Sequence, residues 1–295
     1  MDQKLVRTIY YLLMAIHIVL YFVQIGICIF ICAEWRKAKS TYKSAYFIIL
    51  ISFYCLDLPC QVLWVYGRTI NYNLNDPLLP LILISQWYKG YVIGIWEAVL
   101  GLTRCTAMAF PNLHNKLWDG KGLWFALLFI YLFPFIAGGY VWTQFECKFL
   151  SSSAPGCWDY RNETVITLAI LIASLNFLCL AFILVGVILA PKGYHKSQKS
   201  KMERRLMIQT LSSALLAAIC NGMLMVPFFS DTDYYLLASY FFGLLQYYPP
   251  MLYIFFVIPT IRSEFATFFF SWYRINDSNK IIVAHNSVTV FHTRV

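Results

Sequence analysis

Three ionisable residues interrupt the long apolar stretches of this 295-residue sequence: Asp57, Lys89 and Glu97. A charged side chain at the centre of a membrane helix costs about 2.5–3.5 kcal/mol on insertion scales, so each is a candidate for function. Lys89 precedes Glu97 by eight residues, which on a helix places both on roughly the same face. That placement favours a polar, partly wet cavity where both residues meet a ligand. The alternatives are a bond to a polar group of another helix and, for Lys89, a side chain that extends to the membrane surface.

Other polar and aromatic residues in the apolar stretches could complete such a cavity. Asn176, Asn221 and Gln246 either hydrogen-bond between helices or contact a ligand. Aromatic residues gather near one end of the stretches, as an interfacial belt requires, and a subset of them would also line a ligand site. The candidate ligand contacts are Asp57, Lys89, Trp96, Glu97 and Gln246.

Motifs for catalysis are absent. The sequence contains no nucleophile elbow, no phosphate-binding loop and no H-E-x-x-H helix. The five histidines are spread over one apolar stretch, two loops and the C-terminal tail, which does not assemble a metal site. The last apolar stretch has no lysine for a retinal Schiff base. The sequence therefore predicts a protein that is not an enzyme and has no cofactor or metal.

The elements that position these residues follow from composition. Apolar residues make up 60% of the chain, charged residues only 13%, and the mean hydropathy is +0.63, whereas soluble domains are roughly 25% charged. A membrane-crossing helix needs about 20 apolar residues, and the first stretch is too long for a cleaved signal peptide, so it is a retained signal anchor. We predict an all-α membrane protein with one transmembrane domain (1–261) and a tail (262–295) whose first residues, 262–273, form a helix on the membrane surface. The seven predicted spans are 8–32, 44–65, 85–108, 122–142, 165–189, 206–229 and 234–261.

The positive charges predict the orientation of the seven spans. Seventeen Lys and Arg residues fall on one side of the membrane and five on the other, with Lys89 inside a span. Because cations concentrate in cytoplasmic connections, the N-terminus is expected outside and the C-terminus in the cytoplasm. The net charge of +9 is therefore explained by the bilayer, and no nucleic-acid partner is expected.

Two features of the fourth connection agree with this orientation. Asn162 begins an N-glycosylation sequon, and glycosylation requires the outer side. Cys147 and Cys157 lie in the same connection, where oxidising conditions allow a disulfide. Two free thiols are the alternative.

The inner end of the third span carries the most specific motif, the string from Leu102 to Trp118. It resembles the third-helix motif of nematode seven-transmembrane chemoreceptors of the serpentine receptor gamma superfamily, classes gamma or V. Thr103 departs from that motif, which usually has Asn at this place. The matching residues are Arg104, Thr106, Ala107, Phe110, Pro111, His114, Lys116 and Trp118.

The resemblance implies a helix bundle of the G-protein-coupled receptor type, with a small-molecule ligand in an outward-facing cavity. It also implies a heterotrimeric G protein as the cytoplasmic partner and a place in the plasma membrane of a sensory neuron, in its cilium. The residues expected to couple to the G protein are Arg104, Lys201, Arg204 and Arg205. The alternative is a seven-helix transporter of small solutes, which is expected to show repeats and matched Gly/Pro breaks in its halves; neither is present.

Overall fold

The structure is a computed structural model. It describes residues 3–37, 41–69, 76–150, 154–190 and 198–225, and beyond them residues 241, 244–245, 248, 251–253, 259 and 261–270. The described chain is helical, with no strand in it. Its helices are α1 (Gln3–Trp35), α2 (Ala45–Thr69), α3 (Leu79–Ala109), α4 (Pro111–Trp118), α5 (Lys121–Gly138), α6 (Phe145–Phe149), α7 (Cys157–Ile188) and α8 (Gln198–Met225).

Five segments of the described chain are long and apolar enough to cross a membrane. Large apolar side chains stay exposed on them, among them Trp124, which is 72% exposed, and Ile188, which is 76% exposed. Lipid covers such side chains in a bilayer, so this exposure fits a multi-pass membrane protein. The five segments are Thr8–Trp35, Ala45–Thr69, Leu79–Ala109, Lys121–Phe149 and Cys157–Ile188.

The predicted sixth and seventh spans are described only in part. Helix α8 contains the first twenty residues of the predicted sixth span, and a few helical residues belong to the predicted seventh. Below, the N-terminal face is the end of the bundle where α1 begins, and the opposite face is the end where α1 finishes.

Helix α3 is central, because its side chains from Tyr91 to Gly101 are all buried. It packs against α7 over most of its length, and glycines make this contact close. A Cβ at Gly101 would lie 3.1 Å from Cys179 Cα, and one at Gly186 would lie 2.9 Å from Cys105 Cα. Small residues let membrane helices approach closely. The pairs advance in step along both chains, so α3 and α7 run parallel.

A compact aromatic cap closes the N-terminal face beside α3. A 3₁₀ turn (Gly139–Gln144) and α6 connect α5 to α7, and Cys147 and Cys157 are joined by a disulfide with their Cα atoms 4.9 Å apart. Phe149 is fully buried, and its ring centroid lies 5.9 Å from that of Trp87 in α3. The aromatic residues of this region therefore pack against one another.

On the opposite face, residues 261–270 form a helix that packs on α1. The Phe265 and Phe30 rings lie 5.4 Å apart edge to face, and Phe269 approaches Gly26. The Tyr42 hydroxyl donates a hydrogen bond to Glu264 Oε2 at 2.6 Å. Burial, together with this carboxylate, raises the pKa of Tyr42 above its usual range, so the phenol stays a donor. The predicted surface segment is thus partly anchored to α1 by aromatic contacts.

Candidate functional site

Asp57 and Lys89, both predicted to contact a ligand, pair with each other. Lys89 Nζ in α3 lies 2.6 Å from Asp57 Oδ1 in α2, and Asp57 is only 2% exposed. Gln24 Nε2 of α1 donates to Asp57 Oδ2 at 3.0 Å, and Gln61 Nε2 donates to both carboxylate oxygens at 3.2 and 3.3 Å. The pair therefore joins three helices and satisfies both carboxylate oxygens.

A buried ion pair of this kind supports the arrangement of the helices more than it offers a vacant site. Removing one partner from a buried pair costs about 3–5 kcal/mol, because the other charge is left uncompensated. Lys89 and Glu97 have different partners in the structure, Asp57 of α2 and Ser213 of α8. Eight residues advance a 3.6-residue helix by 2.2 turns, which leaves the two side chains about 80° apart. Lys89 turns toward α2, and Glu97 turns toward α8.

Glu97 lies deep in the bundle with hydrogen-bonding capacity to spare. It is 3% exposed, and its Oε1 accepts a hydrogen bond from Ser213 Oγ of α8 at 3.2 Å. Its Oε2 accepts no hydrogen bond from any residue that the structure describes. A buried unsatisfied polar atom costs about 1–3 kcal/mol, so a hydrogen-bond donor placed at this oxygen would be stabilising.

Asn176 of α7 lies at the same level as Glu97. A Cβ at Gly94 would be 3.6 Å from Ile172 Cα, and one at Gly101 would be 3.1 Å from Cys179 Cα, so Glu97 and Asn176 fall between matched pairs of the α3 and α7 contact. Asn176 is fully buried, and within the described chain neither its amide nitrogen nor its oxygen has a hydrogen-bond partner.

Glu97, Asn176 and Ser213 therefore bring polar groups of α3, α7 and α8 to one level of an apolar bundle. We call these three residues the polar centre. Small-molecule sites typically combine apolar walls with a few fixed polar groups of this kind.

Trp96 has a structural place in this conformation. Its Nε1 donates to the Ile49 carbonyl of α2 at 3.0 Å, and its ring stacks on Phe53 with 4.3 Å between centroids. Trp96 therefore fastens α3 to α2. The remaining predicted ligand contact, Gln246, lies outside the described residues.

Arg104 is buried at the opposite face of the bundle. It is 2% exposed, and its guanidinium carbon lies 4.0 Å from the centroid of the Tyr46 ring of α2, a cation–π contact. The Tyr46 hydroxyl in turn donates a hydrogen bond to Gln209 Oε1 of α8. Arg104, Tyr46 and Gln209 form a connection among α3, α2 and α8, which we call the inner link.

The motif around Arg104 folds helix α4 back onto α3. Thr106 Oγ1 accepts a hydrogen bond from Trp118 Nε1 at 2.9 Å and lies 3.0 Å from His114 Nδ1. The spacing of Thr106, His114 and Trp118 thus has a physical reason, because one hydroxyl contacts both the middle and the C-terminal end of α4. The other face of α4 exposes Phe110, which precedes it, and Leu113.

The other predicted residues have simple places. Arg204 and Arg205 are exposed near the start of α8, and the side chain of Lys201 lies outside the described part of the chain. Asn162 is half-buried inside the first turns of α7, because this helix begins at Cys157, earlier than the predicted span.

Sequence reasoning missed the partners of these residues: Gln24, Tyr46, Gln61, Gln209 and Ser213. One usable signal was one-turn spacing of polar residues on an apolar helix. Gln61 follows Asp57 by four residues, and Ser213 follows Gln209 by four, so each pair shares one face.

In the part of the chain that the structure describes, a helical bundle with long apolar helices and polar groups fixed inside it fits a multi-pass membrane protein. The chain belongs to the family of the serpentine type 7TM GPCR chemoreceptor Srv, whose model matches residues 10–258. The resemblance is thereby confirmed, and of the two classes left open the match is to class V. No curated protein and no solved structure matches the chain. The protein is accordingly a GPCR-like chemosensory receptor in a membrane context.

Proposed function

We propose that a small molecule binds at the polar centre and that its binding breaks the inner link. Arg104 then becomes accessible to a heterotrimeric G protein. Two observations support the ligand site. Glu97 and Asn176 are more than nine-tenths buried yet retain unmet hydrogen-bonding capacity, and they lie on different helices from Ser213. A ligand that donates to Glu97 and bonds Asn176 satisfies groups that the described chain leaves unsatisfied.

The geometry of α8 supports coupling between the two regions. Ser213 and Gln209 lie one turn apart on α8. Ser213 bonds Glu97 of α3 directly, whereas Gln209 is connected to Arg104 of α3 through Tyr46. A ligand that donates to both carboxylate oxygens of Glu97 also competes with Ser213 for Oε1, and it favours an arrangement in which α8 is displaced from α3. Binding then shifts a population between two arrangements, and loss of the inner link uncovers Arg104.

The opposite face supplies a surface for the partner. Phe110, Leu113 and Leu117 are 43%, 51% and 40% exposed around α4, and Arg204 and Arg205 are exposed at the start of α8. An apolar patch and basic residues on the same face of the bundle fit an amphipathic helix with acidic groups. We assign this surface, together with Lys201 and the uncovered Arg104, to a G-protein helix.

Orientation and location complete the proposal. The excess of cations on one side supports an extracellular N-terminus and a cytoplasmic C-terminus, which places α4 in the cytoplasm. The family supports action at the plasma membrane of a sensory neuron, in its cilium. An epitope tag before Gln3 is expected to bind antibody on intact cells, and a tag after the C-terminus only on permeabilised cells. The reverse pattern would contradict the orientation.

The observation that carries the proposal is the double connection of α8 toward α3. Ser213→Ala is expected to raise ligand-independent signalling about fivefold, because one hydrogen bond of the resting arrangement is lost. Ser212→Ala is the matched control, since among the described residues Ser212 Oγ bonds within α8, to the Gln209 carbonyl at 2.8 Å. G-protein activation is measured at equal surface expression. Equal signalling by both variants and the unchanged receptor would refute coupling through Ser213.

A further inference from the structure

A groove lies between α1 and α2, apart from the polar centre. Its volume is about 220 Å³, and it is bounded by α1 near its middle and by the last third of α2. Small-molecule pockets for drug-sized ligands are roughly 300–1,000 Å³, so this groove suits a smaller molecule.

The walls of the groove are apolar and open toward the bilayer. Ile18, Phe22 and Val62 line it and are 43%, 65% and 53% exposed. Their helices cross the membrane, so this exposed side faces hydrocarbon. A molecule reaches the groove by partitioning into the bilayer first, and this selects for apolar compounds.

The floor of the groove is polar. His17 and Gln61 line it and are only 4% and 3% exposed. The His17 ring packs 5.0 Å from the Trp64 ring, and Gln61 donates its amide hydrogens to Asp57. Polar side chains are costly in the apolar part of a membrane. His17 and Gln61 provide hydrogen-bonding groups at the base of an otherwise apolar site.

We propose that this groove binds a small, mostly apolar molecule that carries one hydrogen-bonding group and arrives through the bilayer. Its apolar part packs on Ile18, Phe22 and Val62, and its polar group bonds His17 or Gln61. This site is additional to the polar centre, and its test does not depend on the proposed signalling. Because Gln61 also holds Asp57, an occupant of the groove contacts the residue next to the buried ion pair.

The test is photolabelling of the full-length protein in phosphatidylcholine nanodiscs with an octanol that carries a diazirine. Labelled peptides are identified by mass spectrometry. We expect label in residues 17–22 and 61–65, saturation with probe concentration, and competition by 1-octanol. Val62→Trp fills the groove and is expected to reduce this labelling about tenfold, because the indole ring occupies the space that the octyl chain would take. Val165→Trp is the matched control, since Val165 is also an exposed valine, 38% exposed, on α7.

A second comparison tests the polar floor. 1-Octanol is expected to compete about fivefold better than n-octane, as one hydrogen bond predicts, and His17→Phe or Gln61→Leu is expected to remove part of that preference. Gln61→Leu also perturbs Asp57, so His17→Phe keeps the test valid if the other variant does not fold.

Three results would overturn the proposal. One is label spread evenly over the lipid-facing sides of α1, α5 and α7 without competition, which marks bulk bilayer or lipid acyl chains as the occupant. Another is equal labelling of Val62→Trp and the unchanged protein. The third is equal competition by octanol and octane. None of these results depends on G-protein activation, so they leave the proposed function untouched.

Discussion

Tyr46 offers the sharpest perturbation of the inner link, because a single hydroxyl connects α2 to α8. Tyr46→Phe keeps the aromatic ring over which Arg104 lies at 4.0 Å and removes the hydroxyl that donates a hydrogen bond to Gln209. Gln209 is 3% exposed, so its carbonyl oxygen loses a partner in a buried place. The expected destabilisation of the resting arrangement is about 1–3 kcal/mol.

That free energy translates into a measurable change in basal signalling. A destabilisation of about 1.4 kcal/mol changes an equilibrium constant tenfold. Minor states of proteins are typically about 0.1–10% populated, so a receptor that rests with about 1% in the active arrangement rises to about 10%. Tyr46→Leu also removes the cation–π contact, worth about 0.5–2 kcal/mol, and is expected to raise basal signalling further.

The assay is ligand-independent dissociation of Gα from Gβγ in cells, measured by resonance energy transfer across a panel of Gα subunits and normalised to surface expression. Tyr54→Phe is the matched control, because Tyr54 is a buried tyrosine two turns along the same helix, 7% exposed. The reasoning is refuted when Tyr46→Phe reaches the surface normally and its basal signalling equals that of Tyr54→Phe.

Three further predictions concern the framework of the bundle. Asp57→Asn or Lys89→Met is expected to lower the free energy of unfolding by about 3–5 kcal/mol, and the double variant to lose less than the sum; thermal unfolding of the purified protein checks this, and strict additivity would argue against the pairing. Thr106→Val is expected to release α4 by removing the acceptor of Trp118, so hydrogen exchange in residues 111–118 should increase; unchanged exchange would contradict the assigned role of Thr106. Gly101→Leu is expected to abolish folding, because a Cβ there already lies 2.8 Å from Cys179 Sγ, whereas Gly139→Leu, at a position with open space around its Cβ, should express; equal surface expression of the two would disprove the close contact.

The sequence was sufficient for the class of fold and for the motif that marks the family. Long apolar runs determine membrane helices almost regardless of their neighbours, so five of the predicted spans correspond to described segments that are long and apolar enough to cross a membrane. The string from Arg104 to Trp118 was recognisable because several of its side chains contact one another within a short stretch of sequence. Thr106, His114 and Trp118 lie within twelve positions and meet through a single hydroxyl.

The partners of the charged residues were not predictable in the same way. Asp57 and Lys89 were identified separately, but their pairing depends on how α2 and α3 rotate about their axes, and periodicity does not specify that. The same rotation sends Glu97 toward Ser213, 116 positions away in the chain. Tyr46 gave no signal at all, because a tyrosine in an apolar helix is typical of an aromatic belt, and only the fold places it over Arg104.

The central claim is that the resting receptor buries Arg104 behind Tyr46 and that signalling needs Arg104 uncovered. It is tested most directly by basal G-protein activation in the double variant Tyr46→Phe with Arg104→Ala, compared with Tyr46→Phe alone at equal surface expression. The account predicts that the gain caused by Tyr46→Phe disappears in the double variant. A gain that persists without Arg104 would contradict it.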